Sequence, residues 1–231
     1  MGISVPIIVY THTDMRDIWP MFFGQLKKYV GDTKIYVAVN EDDTQLSDYI
    51  RIIYDDSNQY TQRWKEILEK LEEETFIFLH EDMILFDKVD FQLLEKYIRY
   101  IEDGLVESIK LILAGDGFNE WDVDKTLVTN QCAKFSIQPT ITTKGVFKEL
   151  VNNLPPKNIW EFEKAIVSVG RDFMVRLGDE KKRGLYHYDS LVFPYIATAI
   201  NKGKWNLNEY VDELNPMFAE YNINPFERGM S

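Results

Sequence analysis

The clearest pattern along this chain is an apolar run that stops abruptly at charge. Phe76-Ile77-Phe78-Leu79 leads into His80-Glu81-Asp82, the pattern of a buried strand with ligand-competent side chains at its C-terminal end. Upstream, Val5 to Tyr10 predicts a strand leaving through Thr11-His12-Thr13-Asp14. Lys34 to Val39 predicts a second, leaving through Asn40-Glu41-Asp42-Asp43, and Arg51 to Tyr54 a third, leaving through Asp55-Asp56-Ser57-Asn58. Pro20 opens a helix with Phe22, Phe23, Leu26, Tyr29 and Val30 at helical spacing. A second helix is predicted from Gln59 to Glu73, capped from residues 55–58, with Tyr60, Trp64, Ile67, Leu68 and Leu71 as its apolar stripe. A helix over Phe91 to Ile101 and a strand over Ile109 to Leu113 extend the series. Strand-helix alternation with connections this short predicts an α/β fold, a mostly parallel central sheet with flanking helices.

Regularity fades after Leu113. Phe135 to Pro139 predicts a strand, Lys144 to Asn152 a helix before Pro155-Pro156, and Ile159 to Val169 another helix. Glycines and scattered charges between residues 170 and 206 predict loops around an active site. Leu207 to Ser231 predicts one short helix followed by fraying. No repeat or linker divides the chain, so a single domain over 1–231 is expected.

Composition narrows the function. With 231 residues, 45% of them hydrophobic and 14% aromatic, the chain can bury a substantial core. A net charge of -12 argues against a general binder of nucleic acid or of anionic membranes. An anionic ligand must then be held locally, by a metal and a few cations. Cys132 is the single cysteine, which leaves no internal disulfide and no cysteine zinc cluster. No run approaches the roughly 18 apolar residues of a membrane span, and no basic-then-apolar leader opens the chain. A soluble, cytoplasmic protein is the expectation. The absence of Gly-x-x-x-x-Gly-Lys-Ser/Thr, Gly-x-Gly-x-x-Gly and Gly-x-Ser-x-Gly removes the common nucleotide hydrolase, dehydrogenase and serine hydrolase readings.

Two adjacent carboxylates repel unless a proton or a cation sits between them. Glu81 and Asp82, with or without His80, are therefore candidate ligands for Mg²⁺ or Mn²⁺, the alternative being a polar turn after the strand. Arg63 offers a planar fork suited to diphosphate, or else pairs with Asp56 or Glu66. Asn201-Lys202-Gly203-Lys204-Trp205 places two cations on a glycine turn, in reach of a leaving diphosphate or simply solvated. Thr11 and His12 occupy a strand exit suited to ligand contact. Asp116 with Gly117, and Gln138-Pro139-Thr140, are further loop candidates.

In layout, Ile77-Phe78-Leu79-His80-Glu81-Asp82-Met83-Ile84 and the first strand Ile7-Ile8-Val9-Tyr10-Thr11-His12 resemble the glycosyltransferases of the GT-A fold. That family carries an acidic Asp-x-Asp or Glu-Asp-Asp type motif at the end of a central strand. Strict Asp-x-Asp spacing would fall here on His80 and Asp82, or on Glu81 and Met83. The resemblance implies a nucleotide-sugar donor held through a divalent metal on Glu81 and Asp82, with a carbohydrate or other hydroxyl acceptor. It implies a nucleotide-sugar-binding half over 1–115, including Thr11, His12, Arg63 and His80, and an acceptor and lid half over 116–231. It further implies a general base from Asn158-Ile159-Trp160-Glu161-Phe162-Glu163, either Glu163 or Glu161, for transfer with inversion. A late histidine, His187, is implied as one more metal ligand, and Lys202 and Lys204 as diphosphate contacts. A sugar-phosphate nucleotidyltransferase, or a non-catalytic nucleotide- or carbohydrate-binding module, are the alternatives.

Overall fold

The structure, a computed structural model, describes residues 2–115, 117–130, 136–155, 157–165, 172–184 and 187–231. Cys132, Asp116, the start of the strand predicted from Phe135 and the end of the helix predicted to Val169 lie outside the described residues.

The N-terminal series forms as its apolar runs dictate. Strands β1 (Ile7–Tyr10), β2 (Ile35–Val39), β3 (Ile50–Ile53) and β4 (Thr75–His80) alternate with helices α1 (Trp19–Val30) and α2 (Tyr60–Lys70). Every residue of β1, β2 and β4 is buried, as expected of parallel strands covered on both faces. Then come α3 (Phe91–Glu102), β5 (Ser108–Lys110), β6 (Phe118–Glu120), β7 (Leu127–Asn130), β8 (Thr140–Thr143), α4 (Lys144–Asn152), α5 (Ile159–Ala165) and β9 (Asp172–Val175). One nine-stranded sheet in the order β3-β2-β1-β4-β8-β5-β9-β7-β6 takes strands from both halves of the chain. The sheet is mostly parallel in direction: only β7 and β8 run against the other strands.

Four local differences from the sequence expectation have physical reasons. The strand foreseen over Phe135 to Pro139 begins instead at Thr140, because residues 136–138 turn (Gln138 N–H donates to the Ser136 carbonyl, 2.9 Å) and Pro139 has no N–H for the ladder. Helix α2 starts at Tyr60 without a side-chain cap. Asp55 turns back on Ser57 instead, and the Lys157 carbonyl accepts from Thr61 N–H at 3.3 Å. The region expected to be loops carries two short hairpins, β10 (Lys182–Arg183) with β11 (His187–Tyr188) and β12 (Ile200–Asn201) with β13 (Lys204–Trp205). Finally, the tail forms the long α6 (Leu207–Glu220), kinked at Tyr210, and then α7 (Pro225–Arg228). It is held because Tyr210, Leu214, Met217 and Phe218 are buried in the core. Beyond α7, Gly229 accepts from Trp205 N–H (2.9 Å), Ser231 N–H donates to the Trp205 carbonyl (3.0 Å), and Arg228 pairs with Asp17 and donates to the Gly203 carbonyl (3.3 Å).

Candidate functional site

The site begins where β1 and β4 end side by side. Tyr10 pairs in register with His80, and their rings stack with centroids 5.1 Å apart. Beyond His80 the chain is joined by residues 192–199, which run antiparallel to it. Ile196 N–H donates to Ile84, and Ala199 N–H to Asp82, both at 2.9 Å. That pairing carries the β12–β13 hairpin to the acidic pair. The two turn residues, Lys202 (φ 50°) and Gly203 (φ 79°), both have positive φ, which matches the twist of a two-residue hairpin turn. Lysine in that conformation costs about 1 kcal/mol.

The facing wall is α5. Lys157 N–H donates to Thr61 Oγ1 at 3.0 Å, and Phe162 is buried against Tyr60 (5.5 Å between centroids), so α5 is docked on α2. Asn158 and Glu161 cap each other: Asn158 Oδ1 accepts from Glu161 N–H at 2.9 Å, and Glu161 Oε2 accepts from Asn158 N–H at 3.2 Å. Glu161 is thus exposed and engaged in the cap. Glu163, two positions on, turns inward and accepts from Ile137 N–H at 2.6 Å.

Between these walls lies a cleft of about 400 Å³ that brings together His80, Glu81, Asp82, Glu163, Trp160 and Lys202. Its electrostatics follow from enclosure. Burial, reinforced by the neighbouring Asp82 charge, pushes the Glu81 carboxyl up to about 8. Asp82, half-buried, is raised to about 7 by the protein around it. Burial drops His80 to about 3, so it is a neutral imidazole, placed 3.0 Å from the Tyr60 hydroxyl. Glu81 Oε2 is buried and has no hydrogen-bond partner among the described residues. An acid pair of this kind, one oxygen unpartnered, suits a hard divalent cation whose other ligands are water and phosphate oxygens. Glu81 and Asp82 are the residues that could hold it. Among the described residues, no three His, Cys, Asp or Glu side chains converge as a complete metal-binding group.

A second recess, also about 400 Å³, meets the first at Ile159 and contains Tyr10, His12, Asp56 and Arg63. The fork of Arg63 is already engaged by its own loop. Nε donates to the Asn58 carbonyl (2.8 Å), Nη2 to the Asp56 carbonyl (2.6 Å), and Nη1 to the Tyr10 hydroxyl (3.1 Å). His12 Nδ1 accepts from Asp14 N–H at 3.1 Å, and Nε2 stands 3.2 Å from Asp56 Oδ2.

Besides Glu161, three expected site residues stand outside both recesses. Thr11 is fully buried: its hydroxyl accepts from Trp19 Nε1–H at 2.8 Å and contacts Glu81, so it supports the acid pair from beneath. Lys204 is exposed, with its chain beside Gly229. His187 belongs to another cluster, 3.2 Å from the Tyr210 hydroxyl and 3.5 Å from Glu209, beside the buried Arg183–Asp189 pair. Conversely, sequence reasoning passed over Asn201 as a cleft residue in its own right, and over Met15 and Thr198, which also line the cleft. Only the strand-exit position of Met15 could have signalled one of them.

No family model matches the chain, and no curated protein matches it. Among solved structures, it is similar to the glycosyltransferase GlyE of Streptococcus pneumoniae TIGR4 (TM-score 0.46, 9% identity, 76% of this chain and 46% of that one). It is also similar to TarS of S. aureus (0.49, 14%, 83% and 37%) and to a UDP-glucose pyrophosphorylase complexed with UDP-glucose (0.47, 9%, 75% and 90%). The chain thus spans less than half the length of the first two. At this distance the likeness carries no chemistry, which must come from the chain's own residues.

Proposed function

We propose that the protein is a nucleotide-sugar-utilising enzyme, and specifically a glycosyltransferase that moves a sugar from a nucleoside-diphosphate donor to an acceptor hydroxyl. The observation that supports this most directly is the convergence of Glu81, Asp82, Glu163 and Lys202 on one cleft at the C-terminal ends of the strands. A Mg²⁺ or Mn²⁺ ion on Glu81 and Asp82 would supply positive charge against the donor diphosphate. Lys202, held at the tip of its hairpin, balances charge that develops on the leaving diphosphate. Neutral His80 contributes a hydrogen bond and no charge. Glu163 has one oxygen fixed by Ile137 N–H, and its carboxylate takes the proton of the acceptor hydroxyl, consistent with inversion.

Sugar-phosphate nucleotidyl transfer is the competing enzyme reading, and a binding module without turnover the non-enzymatic one. The glycine-free β1 exit, where His12 caps its own turn, favours glycosyl transfer over nucleotidyl transfer. The test is incubation with common nucleoside-diphosphate sugars and Mn²⁺, followed by product analysis. Release of nucleoside diphosphate supports the proposal. Pyrophosphate-dependent formation of nucleoside triphosphate indicates nucleotidyl transfer, binding without turnover indicates the module, and no nucleotide binding rejects both enzyme readings and leaves only a carbohydrate-binding module. In an active preparation, Glu163→Gln should cut turnover by about 10²- to 10⁴-fold with donor affinity kept.

A further inference from the structure

Trp160 is out of keeping with the other tryptophans of this chain. Trp19, Trp64 and Trp205 are essentially fully buried and Trp121 is partly buried against the core, whereas Trp160 is 69% exposed. A single exposed apolar ring is ordinary on a protein surface, but Trp160 lies on the wall of the cleft, where a ring has a use. Phe162 supplies the inward anchor of α5, which leaves Trp160 on the cleft wall with Glu163 three positions further, on a neighbouring face of the same helix. The cleft also exposes Gln138, Thr198 and Asn201, neutral hydrogen-bonding groups suited to hydroxyls. A flat apolar face, amide and hydroxyl partners, and a carboxylate one turn away together match a ligand with a C–H face and a rim of hydroxyls.

We propose that Trp160 is the stacking platform for a carbohydrate acceptor, which lies with one ring face on the indole and one hydroxyl toward Glu163. The assignment rests on the reading of this cleft as a glycosyl-transfer site and names the acceptor class that reading leaves open. A simple alcohol without a ring would satisfy Glu163 but leave the indole uncovered.

Tryptophan emission tests this directly, because Trp160 is the most exposed of the five tryptophans. The intact protein, with and without nucleoside diphosphate and Mn²⁺, is titrated with a panel of methyl glycosides and disaccharides, with n-hexanol as the ringless control. Binding is read by fluorescence and calorimetry on the native protein, Trp160→Phe and Trp160→Ala. The expected result is a saturable emission change with at least one saccharide. Affinity should be largely retained in Trp160→Phe and fall about tenfold or more in Trp160→Ala, with nucleoside-diphosphate affinity the same in all three proteins. The proposal is overturned if no saccharide in the panel binds, if Trp160→Ala binds saccharide as well as the native protein, if hexanol binds as tightly as the sugars, or if Trp160→Ala loses nucleotide binding in parallel. Saccharide binding that depends on Trp160, in a protein that binds no nucleoside diphosphate, would uphold the platform and reject the glycosyltransferase reading.

Discussion

At the scale of single residues, the acid pair after β4 should govern how stability depends on pH. Glu81 moves from 4.5 to about 8 and Asp82 from 3.8 to about 7 on folding, so the folded protein keeps protons that the unfolded chain has released. Their contribution is fully present below pH 3.8 and is lost as pH rises through about 7 to 8. His80 acts in the opposite sense. Its value falls from 6.5 to about 3, so the unfolded chain takes up a proton that the fold refuses, and stability from this source rises until pH 6.5. Above that point the acid pair titrates alone among these three groups. The Tm of the metal-free protein should therefore drop between about pH 6.5 and 8.5, and Glu81→Gln with Asp82→Asn should flatten the profile. Calorimetric scans across that window decide the matter, and a flat native profile would mean the carboxylates are solvated. Mn²⁺ with nucleoside diphosphate should reverse the alkaline loss, since a cation replaces the missing protons.

At the scale of elements, α5 separates two glutamates that look alike in the sequence. Replacing Glu161 by Ala removes one arm of the Asn158–Glu161 cap and should cost about 0.5–2 kcal/mol by chemical denaturation, with nucleotide affinity unchanged. Glu163→Gln should show the reverse, a stable protein with failing turnover. The cap was legible, because Asn158-x-x-Glu161 has the spacing of a reciprocal cap, and reading it as such would have set Glu161 aside. The strands β1 to β4 were legible as well, since each carries apolar residues up to a polar exit. The later strands were not. Thr140-Ile141-Thr142-Thr143 is fully inserted between β4 and β5 with little apolar signal, and β12 and β13 are two residues each, defined by their turn. His187 could not be placed for the same reason: its position depends on a short hairpin tied down by Arg183, Asp189 and Glu213, contacts that no local pattern announces. In the cleft, the acid pair could be read from the end of β4, whereas the delivery of Lys202 depends on residues 192–199 pairing with a segment more than a hundred positions away.

At the scale of the molecule, the C-terminal segment meets the region after the exit of β1, near the cleft. Arg228 ties α7 to Asp17, just after the exit of β1, and to Gly203 at the tip of the hairpin that carries Lys202. Removing residues 225–231 should therefore leave the sheet folded while raising amide exchange at Trp205 and weakening nucleoside-diphosphate binding. Exchange mass spectrometry would show this, and unchanged protection at Trp205 would mean that β12 and β13 hold without the tail. The same connection decides where a handle can be attached. A tag or tether joined beyond Ser231 would transmit its load through the Trp205 pairing into the turn at Lys202 and perturb the reaction it was meant to report. The turn at Gly104 (φ 66°) needs its glycine, but the exposed Leu105 beside it can carry a label that leaves the cleft unstrained.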